Sequence, residues 1–297
     1  MTGKKRAGWI GLCITVLLAA FCVQIISSVL VVIPCSVYAG IQAATQGLDM
    51  AQATSSVMDN MSNIVSISLI VSGVMLLIVF IPWFYFGCGK PKISSETAKR
   101  VFSPRTLLVV VILAVGLNYG INCLLELIYK LAPELMENYI KLMESTGLGV
   151  NAWANTAAVI LAPIGEELIF RGVIFHYARK AVGGMKSPRT AFWIANSIQA
   201  LLFGIYHLNP IQGLYAFFIG LVLGYLCQKY RSVIPGMLAH LVFNGISALL
   251  SEVLYSWIPE STLWYGIITV VGIGLVLITL FVNGPAVTDQ DNYQNVA

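Results

Sequence analysis

Eight stretches of this chain are each apolar enough and long enough to cross a bilayer as a helix, and that feature limits the folds open to it. A hydrocarbon core takes about 20 apolar residues per helix, and the stretches run over 8–33, 62–86, 106–131, 152–177, 190–207, 211–229, 233–257 and 262–283. Only 10% of residues are charged, with a mean hydropathy of +0.83, against about 25% charged in a soluble domain. Backbone polar groups in lipid must pair within their own segment or in a closed barrel. The expected fold is therefore all-α, a polytopic membrane helical bundle of about eight transmembrane helices with the lipid bilayer as its first partner. No internal repeat or low-complexity tract interrupts the pattern.

Lys and Arg fix the orientation, because they stay on the cytoplasmic side. Lys4, Lys5 and Arg6 precede span one; Lys90, Lys92, Lys99, Arg100 and Arg105 follow span two. Arg179, Lys180, Lys186 and Arg189 follow span four, and Lys229 and Arg231 follow span six. The 35–61 connection has no Lys or Arg, and the acidic 132–151 connection, which reads as partly helical, holds Glu134, Glu137 and Glu144 against Lys141. Eight spans with both termini cytoplasmic satisfy this bias. The first apolar run is too long for a cleaved signal peptide and is read as an uncleaved span. A net charge of +4 without a dense basic block excludes nucleic acid as a partner. The six scattered cysteines form no CxxC pair and read as small buried hydrophobes.

Ionisable side chains inside a span cost roughly 2.5–3.5 kcal/mol on insertion scales, so they are functional candidates by default. Spans four, five and seven concentrate them. On a helix Glu167 and Arg171 stand at i and i+4, acid before base, and form an ion pair. Glu166 is turned about 100° away and must find its partner on another helix or in water. Pro163 and Gly165 loosen the helix just before it. His207 ends span five. His240 and Asn244 share one face of span seven. Asn118, Asn122 and Glu126 stand in span three, with Lys130 four residues on as a partner for Glu126, and His176 reads as interfacial. Two imidazoles and a carboxylate can bind a divalent metal or handle a proton, and imidazole N–H and asparagine amide groups suit a developing oxyanion. A purely structural account, a hydrogen-bonded network that fixes helix packing, uses the same residues. Straight helices at 1.5 Å per residue would leave His207 nearer the outer side than Glu166 and His240, so either span five starts deeper or the helices tilt.

Three motifs now stand in order on separate helices: Glu-Glu-x-x-x-Arg at 166–171, Phe-x-x-x-His at 203–207 and His-x-x-x-Asn at 240–244, with Phe-Arg-Gly at 170–172. Together they resemble the CPBP family, the CAAX-protease and bacteriocin-processing (Abi) intramembrane peptidases. The resemblance divides the chain into N-terminal spans 1–149, a catalytic core 150–256 and a last span with a short tail 257–297. It implies an endopeptidase acting on a membrane-associated protein or peptide, expected in the cell membrane. It assigns water activation to Glu166 and His207, and the oxyanion or a metal to His240 and Asn244. Glu167, Arg171 and Phe203 support the site, the ion pair orienting Glu166. The metalloprotease version of the family implies one divalent ion, zinc, on Glu166, His207 and His240.

Two other readings use the same residues: a proton- or ion-coupled transporter, which the lack of a repeat disfavours, and a catalytically silent immunity or scaffold protein of the same fold. The orientation has a direct check. Reporter fusions in 87–105 should read cytoplasmic and fusions in 132–151 external; an external signal from 87–105 would overturn the span count.

Overall fold

The computed structural model describes residues 2–47, 49, 51–52, 54–55, 61–89 and 94–287; among them the chain is helical with no strand, as expected. The helices are numbered in chain order. The first, α1, runs Gly3–Thr45 and α2 runs Met61–Pro82, prolonged by a wide π turn at Trp83–Gly87. A short α3 (Ser95–Val101), capped by the Ser94 hydroxyl, leads to α4 (Pro104–Leu131) and α5 (Pro133–Ser145). Next comes α6 over 152–181, whose regular turns alternate with π turns at Ala157–Leu161 and Leu168–Ile174. Finally come α7 (Pro188–Tyr206), α8 (Pro210–Tyr230), α9 (Ile234–Tyr255) and α10 (Thr262–Asn283).

Six of these, α1, α2, α4, α8, α9 and α10, are long and apolar enough to cross a membrane. The other two expected spans, α6 and α7, form full helices but carry the buried polar groups, Glu167, Arg171 and Arg179 on one and Asn196 and Gln199 on the other. The polarity that marks them as functional also lowers their hydropathy.

Several expectations need correction. Span one was expected to end near Pro34, yet α1 continues through it for 43 residues. At about 1.5 Å per residue that is roughly 65 Å, longer than a bilayer with its headgroups. No charge follows Pro34 before the helix ends, so the proline removes one hydrogen bond without stopping the helix. Cys22 is exposed and Cys35 half-buried on this helix, whereas Cys13, Cys88, Cys123 and Cys227 are buried as expected, and all six are free. Lys130 does not pair with Glu126; its ammonium lies 5.6 Å from the centre of the Tyr265 ring. Lys90, Lys92 and the tail from 288 lie outside the described residues.

The N-terminal spans pack directly on the motif-bearing helices, α1 and α2 against α6, and α4 against α9 and α10. Polar ties cross these seams. Asn118 of α4 donates to the Phe243 carbonyl (3.0 Å) and to the Ser247 hydroxyl (2.8 Å) of α9. Arg6 of α1 donates to the Ala181 carbonyl at the end of α6 (3.1 Å). Within the α7–α8 hairpin Gln199 donates to Asn196 Oδ1 and to the Gly220 carbonyl, and Asn196 donates to the Leu221 carbonyl. A Cβ on Gly224 would meet Asn196 Oδ1 at 1.8 Å, so only glycine fits there. Such small residues let helices approach where the hydrophobic effect gives them no reason to.

The tightest crossing is α4 on α10. A Cβ on Gly272 would lie 2.6 Å from the Gly120 nitrogen and 2.7 Å from the Gly116 oxygen, backbone that cannot move aside. Gly272→Leu should therefore force the two helices apart, at a cost of about 1–3 kcal/mol or more, and lower the melting temperature in detergent. An unchanged melting temperature would contradict this packing.

Candidate active site

Glu166 and Glu167 sit in the one regular stretch of α6 between its two π turns. These wide turns recur at functional sites, where they re-aim side chains. Glu167 points into the dry interior. Its Oε1 accepts from Arg171 Nη1 at 2.7 Å, with both side chains fully buried, which is the i,i+4 pair expected from sequence. The Arg171 guanidinium also lies over the Phe203 ring, 4.3 Å from its centre. Glu166, turned to the other side, keeps 13% of its side chain exposed and finds its partner on another helix: its Oε2 stands 3.7 Å from His240 Nε2.

His240 joins the two glutamates. Its Nδ1 lies 3.2 Å from Glu167 Oε1. A carboxylate can only accept, so the Nδ1–H donates to Glu167 and Nε2 is turned toward Glu166. The sequence reading has Glu167 and Arg171 orienting Glu166; in the structure Glu167 contacts His240, which in turn faces Glu166. Gly236, one turn before His240, permits this, because a Cβ there would fall 2.8 Å from Glu167 Oε2.

His207 caps the end of α7, and its Nδ1 lies 2.9 Å from the Phe203 carbonyl. The carbonyl accepts, so Nδ1 carries the proton and Nε2 holds an unshared pair. The next residue, Leu208, adopts a left-handed conformation (φ 53°), and Asn209 caps α8 by accepting from the Gln212 amide (3.0 Å). A non-glycine residue held left-handed beside a functional side chain is stored strain; it closes the hairpin sharply and leaves His207 at its apex. The Phe203 ring stands edge-on to His207 (4.9 Å between centres) and to His240 (5.9 Å). One aromatic ring of α7 thus touches both imidazoles, although they stand on different helices.

Asn244 donates to the Ala158 carbonyl at 2.8 Å, an oxygen in the first π turn of α6. One of its two N–H groups is thus used in holding α9 to α6. His176 lies away from this group, in ring contact with Tyr177.

Glu166, Phe203, His207, His240 and Asn244 all line one cavity of about 280 Å³. Gln24 of α1, Leu76 of α2 and Asn122 of α4 complete its wall. Sequence reasoning missed Tyr139 and Met143 of α5, which cover the cavity, and Tyr206 and Tyr215, which line it. The Tyr139 and Tyr215 hydroxyls approach to 3.4 Å. Tyrosines in apolar runs give no signal by themselves; the amphipathic pattern of Met136, Tyr139 and Met143 was the available clue that this loop helix packs on the bundle. Among the described residues no three His, Cys, Asp or Glu side chains are grouped closely enough to hold a metal ion. Glu166, His207 and His240 line one cavity without closing into a ligand set.

Comparison with known proteins gives a match to one family model. Residues 149–246 match the family model described as type II CAAX prenyl endopeptidase Rce1-like. The match begins just before α6 and ends within α9, and it agrees with the resemblance carried by the three motifs. No curated protein and no solved structure matches the chain.

The two adjacent glutamates have separate surroundings and should respond separately to substitution. Removing one member of a buried ion pair strands the other, at about 3–5 kcal/mol. Glu167→Ala should lower the melting temperature sharply, Glu166→Ala should leave it near wild type, and Glu167→Gln with Arg171→Met should recover much of the loss. A normal melting temperature for Glu167→Ala beside a low one for Glu166→Ala would reverse the assignment.

Proposed function

We propose that this protein is an intramembrane endopeptidase that hydrolyses a peptide bond in a membrane-associated protein or peptide through a water activated by Glu166 and His207. The observation that carries the proposal is the cavity itself: a carboxylate and two imidazoles converge on one space of about 280 Å³ inside an apolar bundle. The family match at 149–246 supports the same class.

The steps follow from the contacts. Glu166 is the carboxylate with exposure to the cavity, and His207 Nε2 is an unprotonated acceptor facing it. Between them they take a proton from water as its oxygen attacks the carbonyl carbon, a general-base contribution of about 10²–10⁴ in rate. The second N–H of Asn244 stands on the α9 side as a donor for the oxyanion, and His240, its Nδ1–H given to Glu167, keeps Nε2 toward Glu166. When the tetrahedral intermediate collapses and the C–N bond breaks, Glu166 returns the proton to the leaving amine. Glu167 and Arg171 hold His240 throughout. Substrate reaches the site from the bilayer; the charge bias supports cytoplasmic termini, and the family resemblance supports the cell membrane. The candidate substrates are prenylated C-terminal tails and bacteriocin leader peptides.

A zinc-dependent version would need Glu166, His207 and His240 to close together around the ion, so a chelator separates the two. The test is release of the C-terminal tripeptide from a farnesyl-cysteine peptide by purified protein in liposomes. We expect Glu166→Gln to insert normally and to lose cleavage by about 10²–10⁴-fold, with wild-type activity persisting in 1,10-phenanthroline. Wild-type turnover by Glu166→Gln would remove it from the mechanism, and loss of wild-type activity restored by zinc would establish the metal version.

A further inference from the structure

Hydrolysis demands hydrogen-bond donors where the oxyanion forms, and most donors at this site are already committed. Both ring nitrogens of His240 face carboxylates. His207 spends its N–H on the Phe203 carbonyl, and Asn244 spends one of two on the Ala158 carbonyl. Beside the second N–H of Asn244, the cavity wall holds one buried side-chain donor without a partner. The Tyr206 hydroxyl is buried, exposes less than 1 Å², and has no hydrogen-bond partner, yet Tyr206 lines the cavity with Glu166, His207 and His240. A buried hydroxyl left unpaired is costly, and a native structure that keeps one needs a reason for it.

Its placement supplies one. Tyr206 is the last residue of α7, on the same helix face as Phe203 and next to His207. Three rings hold its plane: Phe21 at 5.4 Å, Phe170 at 5.3 Å and His207 at 6.1 Å between centres. Phe170 stands one turn after Glu166 on α6, so Tyr206 packs on the Glu166 side of the cavity. The phenol is rigid and needs no reorganisation when charge develops, which is what makes a donor catalytically effective.

We propose that Tyr206 is a further catalytic residue, its hydroxyl donating to the oxyanion of the tetrahedral intermediate opposite the second N–H of Asn244. This rests on the peptidase reading. No proton leaves the phenol: water adds to the carbonyl carbon, the carbonyl electron pair moves to oxygen, and the hydroxyl donates a hydrogen bond to that oxygen until the C–N bond breaks.

The test is Tyr206→Phe, which removes the oxygen alone, measured beside wild type and Glu166→Gln. Two probes are used: the cleavable farnesyl-cysteine peptide, and the same peptide with a phosphinate in place of the scissile amide, a tetrahedral anion. The variant should melt at or above the wild-type temperature, because an unpaired buried hydroxyl is gone. Its kcat should fall about 10²-fold, within the range for loss of one oxyanion donor, with little change in KM. Its phosphinate affinity should fall by a similar factor. Wild-type kcat and phosphinate affinity for Tyr206→Phe, with Glu166→Gln inactive, would overturn the tyrosine assignment and leave the peptidase reading standing. Equal turnover by all three proteins would overturn the peptidase reading itself. Should wild type fail to cleave this peptide, equal phosphinate affinities for wild type and Tyr206→Phe would still refute the role of the hydroxyl.

Discussion

A fully buried ion pair with an imidazole attached to it organises the motif-bearing half of the molecule. Arg171, Glu167 and His240 form a chain of charge-assisted contacts of 2.7 and 3.2 Å inside a largely apolar bundle. Desolvating two charges is expensive, and attraction repays it only with close geometry and further partners. The structure provides both. The pair lies within one helix turn, the guanidinium rests on Phe203, and glycines at 220 and 236 bring helix backbones to the edges of the two side chains. Each concession is made by a different helix, so the ion pair determines how α6, α7, α8 and α9 pack on one another.

The π turns on either side of Glu166–Glu167 connect that packing to chemistry. A regular helix from 152 to 181 would repeat the same face every 3.6 residues, and the apolar stripe that faces α1 and α2 would have to coexist with the polar one facing α9. Widening the turn at two places shifts the register between them. It sends Glu167 inward and leaves Glu166 at the cavity, and the first wide turn presents the Ala158 carbonyl to Asn244. The polar residues of α9 thus divide their duties: Asn244 anchors its helix with one N–H, while His240 reads both glutamates.

What was legible in the sequence follows from how far apart the partners lie along the chain. The Glu167–Arg171 pair was readable because both ends stand on one helix at a fixed spacing. The eight helices were readable because hydropathy is local. Which carboxylate His240 touches was not, since residues 73 positions apart meet through packing alone. The relative depth of His207 was left open for the same reason, since helix tilt is set by neighbours. The cavity tyrosines escaped notice because phenol side chains suit a membrane interface or core equally well. The overrun of α1 past Pro34 shows that a proline bounds a helix only when the residues beyond it have somewhere better to go.

The motif-bearing helices do not enclose the site by themselves. Gln24, Leu76 and Asn122 from α1, α2 and α4 close one side of the cavity, and α5 covers another. A peptide bond can be hydrolysed inside a membrane only if water is admitted to a few groups and refused to their supports. Glu166 keeps 13% of its side chain exposed while its neighbour Glu167 has none, a difference produced by one step along a helix. The helices α7, α8 and α9 enclose the ion pair, and the outer helices contribute to the wall of the cavity that Glu166 faces. The same division separates two adjacent glutamates: burial makes one a fixed anchor for an imidazole, and the other stands at the cavity.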